Sequence, residues 1–275
     1  MKHINPPFSE KLKLNNKDRR LFYDIPEQMQ NVLLTIINDG DKIYINDDET
    51  KHARVCKQAL IKIYQDFRTV KTVLRDGYQT QAATIASSML ETVYFISYIG
   101  FKPEKVDEWL AHDEHKWSDG FNNWMKATLA HLQKSGEITK ELREKWENME
   151  WETYSILCAS KHSNGFPIRK TNVVMEEEGK PHLVSEPRYT IFSRSECSHI
   201  MSTATRIAGQ GVSAYLRAIH PERTYKASTI ARELGKESLR IGLEISAESS
   251  SLLEQEKTGI TTPKTEDLFR KTEAK

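Results

Sequence analysis

Several features that mark common classes of protein are scarce in this sequence. Its 275 residues contain three cysteines, Cys56, Cys158 and Cys197, which are odd in number, widely spaced and without a Cys-x-x-Cys pair. This pattern excludes a disulfide framework or a zinc knuckle and favours a reducing cytoplasm. The first residues lack the apolar core of a signal peptide, so a cytoplasmic location is the prediction.

An excess of one charge is also absent, because 40 Lys and Arg residues stand against 39 Asp and Glu residues. The chain as a whole therefore has no excess positive charge that would favour nucleic-acid binding, although a local basic patch remains an alternative. Apolar residues make up 38% and charged residues 29%, which is less apolar and more charged than an average globular protein. This balance fits amphipathic helices with wide solvated faces, and the length suits one large domain or two small ones.

Helical periodicity, by contrast, runs through most of the chain. Apolar residues recur at steps of three and four in seven segments. These segments are 26–37, 52–74, 82–101, 104–134, 138–162, 196–218 and 224–256. The prediction is an all-α fold, a bundle of four to six long helices. Glycine and proline punctuate residues 163–192, where two short apolar runs flank Glu178-Gly179-Lys180 and predict a small β-hairpin around 170–190.

The same pattern divides the chain into three parts. Residues 1–50 are predicted to be an N-terminal arm, extended to Asp24, followed by a short helix. Residues 51–256 form the helical bundle, with the hairpin insertion at 163–192. Residues 257–275 are predicted to be a flexible charged tail.

A single charged residue, Glu91, lies between Gly77 and Phe101 in the most apolar segment of the chain. Burial of an unpaired carboxylate costs several kcal/mol or more, so Glu91 is paired, protonated or functional. Although the segment is long enough to span a bilayer, the glutamate and the hydroxyl side chains predict a buried core helix and no membrane association.

Glu91 shares one side of this helix with other polar residues, at 100° per residue. These residues are Thr84, Ser87, Tyr94 and Tyr98. One interpretation is a binding or catalytic site inside the bundle. The other is a buried ion pair that fixes helix register, with Arg75, Arg68 or Lys161 as the partner. The candidate binding residues are therefore Arg75, Ser87, Tyr94, Tyr98 and Lys161.

Two further groups of residues carry candidate chemistry. His162 ends the segment 138–162, where it can cap the helix or act as a general base, and Cys158 lies one turn before it. Glu108, His112, His115 and Asp119 have the spacing of a metal stripe, but they lie opposite the apolar face, so a solvated face is the better interpretation. We assign no metal and no cofactor.

The segment from Arg194 to His199 matches the spacing R-x4-H. In HEPN ribonucleases, which this spacing resembles, the arginine stabilises phosphate charge and the histidine handles a proton. Arg206, Arg217 and Arg223 add positive charge downstream. Arg194 and His199 are therefore a candidate catalytic pair.

A second resemblance covers about residues 52–165. Arg75-Asp76-Gly77 followed by Ser87-Ser88-Met89-Leu90-Glu91 resembles the "A…RSLLE" pattern of uncharacterised all-helical bacterial proteins, and Ser160-Lys161-His162 is similar to their later "S-x-x-x-H" element. These proteins are similar to HEPN-type bundles, which occur in toxin, stress and phage-defence systems. Ser87 stands where that pattern has arginine, so Glu91 needs another cation if the two residues pair in relatives.

Three hypotheses follow for function. The first is a HEPN-like cytoplasmic bacterial protein of defence or stress type, a metal-independent ribonuclease using Arg194 with His199 or Glu91 with His162; the resemblance implies a homodimer. The second is a non-catalytic sensing or interaction module that binds a protein or a small ligand in the bundle. The third and weakest is a metal-dependent hydrolase using His112 and His115.

Overall fold

A computed structural model describes residues 15–43, 51–111, 120–159, 174–177, 180–183, 191–219 and 226–257. Nearly all of them are helical, which confirms the predicted all-α multi-helix bundle. The helices are α1 (Asn16–Arg19), α2 (Ile25–Ile43), α3 (Lys51–Arg75), α4 (Gln79–Phe101), α5 (Lys105–Leu110), α6 (Phe121–Lys134), α7 (Lys140–Ala159), α8 (Ile191–Ile219) and α9 (Lys226–Lys257). Strands β1 (Val174–Glu177) and β2 (Lys180–Leu183) pair antiparallel, with Val174 opposite Leu183.

Helix α4 lies at the centre of the bundle, because its apolar residues cover most of its circumference. It packs against α3 and α8 along most of its length, and α6 and α7 cover its remaining side. Gly77, with a φ of 84°, ends the tight turn between α3 and α4, a conformation that favours glycine. Helix α4 is long and apolar enough to cross a membrane, but 67% of its most apolar window is buried inside the protein. This burial confirms the predicted core helix.

Helices α8 and α9 form the most extensive contact of the bundle, and small residues allow their close approach. A Cβ atom on Gly209 would lie 2.8 Å from the carbonyl oxygen of Ala231, and one on Gly242 would lie 2.7 Å from the Ser202 hydroxyl. Side chains at these two glycines would therefore force the helices apart.

The prediction of an extended arm up to Asp24 is wrong for the described residues. The chain is helical from Asn16, passes through a π-helical turn at Arg20–Asp24 and continues into α2, with Leu21 and Phe22 fully or almost fully buried. A regular α-helix could not accommodate Pro26 at this point, because the proline ring would clash with the backbone carbonyl four residues earlier. The wider π-helical turn lies at this position. The charged residues of this segment contact α9: Lys17 binds Glu248 at 2.7 Å and Arg20 binds Glu237 at 2.9 Å.

Seven of the described helices have 14 or more residues, one more than the predicted maximum of six, because the N-terminal segment forms a long helix. The predicted single helix over 104–134 is divided: α5 ends at Leu110, and α6 begins after Gly120, whose backbone is extended. Residues 112–119 lie outside the described residues, as do the predicted arm before residue 15 and the predicted tail after residue 257.

The buried face of α7 is also different from the predicted one. Met149 and Ile156 belong to the apolar spacing that predicts a helix over 138–162, yet both are exposed, whereas Glu150 and Leu157 are buried. On the inward face, Glu150 forms an ion pair with Arg206 on α8. The inward side of α7 therefore combines this ion pair with the buried Leu157.

Candidate functional site

Glu91 lies near the middle of α4, at the boundary between buried and accessible surface. Its Oε1 accepts a hydrogen bond of 2.8 Å from the hydroxyl of Tyr154, which comes from α7. The side chain is half-buried. The glutamate is therefore held by a neutral donor from another helix while part of it stays accessible.

A groove opens beside Glu91 where α3, α4, α5 and α6 meet. It has a cavity volume of about 340 Å³ and is open to solvent on one side. Its lining is mostly apolar. The lining residues are Val55, Gln58, Ala59, Lys62, Ser88, Glu91, Thr92, Phe95, Trp109 and Trp124.

Three aromatic rings from three different helices form one wall of this groove. The ring of Phe95 lies 5.1 Å from that of Trp109 and 5.4 Å from that of Trp124, measured between centroids. The ring planes of the two tryptophans are inclined to that of Phe95 by 41° and 58°, so neither is parallel to it. Trp109 is 36% exposed and stands at the mouth of the groove.

Polar groups of the groove lie on α3 and α4. The Lys62 ammonium donates to the Ser88 hydroxyl at 2.9 Å and forms an ion pair with Asp66 one turn along α3. Thr92 donates its hydroxyl to the backbone oxygen of Ser88 at 2.8 Å. The positive charge of Lys62 is therefore compensated within its own helix.

Tyr154 is fixed by aromatic contacts on the inner side of Glu91. Its ring stacks on Phe121 with centroids 4.1 Å apart, and Tyr94 meets Phe121 edge-on at 5.4 Å. Burial raises the pKa of Tyr154 above its usual range, and hydrogen bonds with Cys158 and Glu91 raise it further. The phenol therefore stays neutral and donates to Glu91 at physiological pH.

The predicted polar side of α4 divides between two environments. Ser87 is fully buried and donates to the Thr84 carbonyl at 2.7 Å, while Tyr94 and Tyr98 are buried in helix contacts. Burial raises the pKa of Tyr94 above its usual range, and the nearby Glu150 charge adds to this. Of the predicted residues that the structure describes, Glu91 alone lines the groove.

The predicted arginine partners of Glu91 have other contacts. The Arg75 guanidinium lies over the Tyr23 ring, 5.1 Å from its centroid, and Arg68 lies over Tyr64 at 5.6 Å. Lys161 and His162 fall in residues 160–173, outside the described residues. Arg75 therefore fastens the π-helical turn to the end of α3.

Arg194 and His199 have different surroundings although both lie on α8. The Arg194 guanidinium makes two parallel hydrogen bonds of 3.0 Å to Asp18, and Glu248 lies 3.5 Å away. His199 is exposed, and desolvation followed by the charge of Arg206 lowers its pKa. Side chains five positions apart on a helix project at an angle of about 140° to each other around its axis, so Arg194 and His199 point in different directions.

The sequence did not predict the polar cluster between α7 and α8. Glu150 is 2% exposed, and the Arg206 guanidinium binds both of its oxygens, the first at 2.5 Å and the second at 3.2 Å. The Gln210 amide donates to Glu150 at 2.9 Å. Among the described residues the Gln210 side-chain oxygen has no hydrogen-bond partner, but Arg206 matches the charge of Glu150, and this pair links α7 to the bundle.

The remaining predicted site is the metal stripe on the segment 104–134. Glu108 accepts from Lys105 on its own helix, whereas His112, His115 and Asp119 lie outside the described residues. Within the ranges that the structure describes, no group of three His, Cys, Asp or Glu residues could hold a metal ion.

Several groove residues were missed from the sequence because the groove is assembled from four helices. Phe95 lies four positions after Glu91, and Ser88 three positions before it, so helical spacing could have identified both. Trp109 and Trp124 could have been found as a cluster of tryptophans in one short segment. No spacing or clustering in the sequence distinguishes Lys62 and Tyr154 from other residues of their helices.

Comparisons of this chain with protein-family models, with curated proteins and with solved structures give no significant match. The resemblance to HEPN-type bundles therefore stays a prediction.

Proposed function

We propose that this protein is a non-catalytic sensing module that binds a small organic ligand in the groove beside Glu91. The observation that carries the proposal is the groove itself, about 340 Å³ in volume, with three aromatic rings and a carboxylate along its wall. Small-molecule sites are concave, mostly apolar, on the order of 300–1,000 Å³, and contain a few polar groups that fix orientation. The groove has each of these properties.

A route from the groove to the rest of the bundle supports a sensing role. The ligand would contact Glu91, which binds Tyr154 on α7, and α7 is fastened to α8 by Glu150 and Arg206. A ligand that changes the bond between Glu91 and Tyr154 would therefore bias the position of α7. Partner recognition by α7 would then depend on the ligand.

The ribonuclease hypothesis has less support from the described contacts. Asp18 accepts hydrogen bonds from Nε and Nη2 of Arg194, so a phosphate would have to displace Asp18 to bind that edge of the guanidinium. Incubation of the protein with total RNA in EDTA, beside His199→Ala, tests it. Cleavage that the variant loses would replace the binding proposal with an enzymatic one.

The predicted insertion, cellular location, oligomeric state and protein partner are also proposals. Residues 163–192 are proposed to form an insertion outside the helical bundle, to which β1 and β2 belong. A cytoplasmic location, a homodimer and a protein partner are proposed from the composition and the HEPN resemblance.

A ligand screen tests the proposed function. The full chain is heated with a library of small cationic, neutral and anionic aromatic compounds, and stabilisation is measured as a rise in the melting temperature, Tm. The expected result is at least one compound that raises the Tm of the wild type but not of Trp109→Ala, which removes the mouth of the groove. The matched control is Trp151→Ala, an exposed tryptophan outside the groove, which should respond like the wild type. A library without any such compound would contradict the proposal.

A further inference from the structure

Helix α7 lies at an edge of the bundle and has large apolar side chains on its solvent side. It packs mainly against α4 and α6, and its buried side carries Glu150 and Leu157. Met149 and Ile156 are 42% and 50% exposed. Because seven positions make almost two full turns, these two side chains lie on the same face of the helix.

Three half-buried residues join the two exposed ones into a continuous stripe. Five positions follow one another at steps of four, three, four and three, and all except Thr153 are apolar. They are Leu142, Trp146, Met149, Thr153 and Ile156, called here the α7 stripe. Steps that average 3.5 residues keep side chains on one seam of a helix, which is the pattern of two helices packed along each other. A continuous exposed apolar surface of this kind marks a contact with another molecule.

Two opposite charges lie beside the α7 stripe on its solvent side. Lys145 and Glu152 are both exposed, and within the described part of the chain neither forms an ion pair, whereas Glu147 on the same helix lies 3.6 Å from Lys126. Lys145 and Glu152 are separated by about 10.5 Å along the helix axis, too far to pair with each other. A partner that matches both charges has an acid opposite Lys145 and a base opposite Glu152.

A second copy of α7 has this arrangement when it runs antiparallel to the first. Leu142 lies seven positions before Met149, and Ile156 lies seven positions after it. Lys145 lies four positions before Met149, and Glu152 lies three positions after it. With a two-fold axis at Met149, the partner's Leu142 lies against Ile156, and the partner's Glu152 lies beside Lys145. An interface between identical copies across a two-fold axis requires this kind of self-complementarity.

We propose that α7 is a dimerisation helix, which docks antiparallel on α7 of a second copy through the α7 stripe, with Met149 at the two-fold axis. This inference goes beyond the ligand groove and depends neither on the groove nor on the HEPN resemblance. One helix from each copy covers a small interface, so the dimer is expected to be weak and to dissociate at micromolar concentrations.

Sedimentation velocity of the full chain, from about 1 to about 200 µM, tests the proposal. The wild type is expected to change from monomer to dimer across this range. Met149→Lys places two like charges at the two-fold axis and should raise the dissociation constant at least about 10-fold. The matched control is Ser155→Lys, which adds the same charge at an exposed position of α7 outside the stripe and should dimerise like the wild type. Both variants should keep the wild-type Tm, since both positions are exposed.

Reversal of the two flanking charges tests the antiparallel arrangement. Lys145→Glu and Glu152→Lys each place like charges opposite one another twice in a dimer of one variant, so each should dimerise about 10-fold more weakly than the wild type. An equal mixture of these two variants should form a heterodimer, because each contact then joins opposite charges. The double variant Lys145→Glu/Glu152→Lys should dimerise like the wild type.

Three results would overturn the proposal. A chain that stays monomeric over the whole concentration range would exclude a dimer of this strength. A dimer that Met149→Lys leaves unchanged would place the contact elsewhere on the molecule. A dimer that Met149→Lys weakens, but without a heterodimer in the mixture of charge variants, would exclude the antiparallel arrangement. The ligand screen with Trp109→Ala tests the groove separately from all of these outcomes.

Discussion

Two glutamates, Glu91 and Glu150, differ in their surroundings, although helix α7 takes part in the contacts of both. Glu150 belongs to α7, is 2% exposed, and is bound by the guanidinium of Arg206 and the amide of Gln210. Glu91 belongs to α4, is half-buried at a groove, and is bound by the neutral hydroxyl of Tyr154, one turn after Glu150 on α7. The first carboxylate is paired with a charge and enclosed, as expected for a group that holds the fold together. The second lies beside an open aromatic wall, as expected for a group that meets a ligand.

The largest effect is expected from breaking the enclosed pair. Arg206→Met leaves the Glu150 carboxylate buried without its charged partner, which costs about 3–5 kcal/mol and lowers the Tm by about 10 °C. Thermal unfolding followed by circular dichroism measures the change. The double variant Arg206→Met/Glu150→Leu removes both charges and should recover part of the loss. A Tm of Arg206→Met close to that of the wild type would show that Glu150 is not a structural anchor.

A smaller loss is expected at the N-terminal end of the bundle. Asp18→Asn removes the charge that binds Arg194, whose side chain is 13% exposed, and should lower the free energy of unfolding by about 3 kcal/mol. Glu248, 3.5 Å from the same guanidinium, compensates in part, so the loss should be below that of Arg206→Met. The matched control is Arg20→Gln, which breaks a half-exposed pair with Glu237 and should cost about 1 kcal/mol or less. Equal losses in denaturant titrations of both variants would refute the distinction.

Glu91→Gln should change stability less than either of these variants. Glutamine keeps an oxygen that can accept from Tyr154, so the free energy of unfolding should fall by about 1 kcal/mol or less. A loss of stability as large as that of Arg206→Met would instead identify Glu91 as a structural ion-pair member, and the contrast between the two glutamates would disappear.

The sequence was sufficient to predict the helical bundle and the special position of Glu91. Both predictions rest on local patterns, since helical spacing and a lone charge in an apolar segment are visible over a few turns. It could not predict the two enclosed ion pairs, because Asp18 and Arg194 are separated by 176 positions and Glu150 and Arg206 by 56. In the sequence, charged residues so far apart cannot be distinguished from residues on a solvent-exposed helix face, because only the fold brings them together.

The N-terminal segment and α7 show the consequence of those unseen pairs. Polar residues before Asp24 suggested an arm, but Lys17 and Arg20 find acidic partners on α9, and the segment becomes part of the core. On α7 the apolar pattern favoured Met149, whereas the pair with Arg206 turns Glu150 inward. The groove was missed for a related reason, since its aromatic wall draws one residue from each of three helices.

The smallest expected effect concerns the half-buried side chain of His52. Desolvation lowers the pKa of His52 on α3, and a hydrogen bond with the Ile99 backbone opposes this only in part. The unfolded chain, with a histidine pKa near ~6.5, then binds more protons than the folded chain as the pH falls below that value. Stability is therefore complete above about pH 6.5 and declines as the pH falls from there toward the folded-state pKa.

His52→Gln should flatten this decline between about pH 6.5 and 5, before most carboxylates titrate. The measurement is the Tm of both proteins across that range. His199→Gln is measured beside them, because the pKa of His199 is also lowered and this variant should remove a separate part of the decline. If the decline keeps its full slope in His52→Gln, the proton responsible is taken up elsewhere. A flattened slope would show that α3, which forms one side of the groove, tolerates an uncharged imidazole but not a charged one.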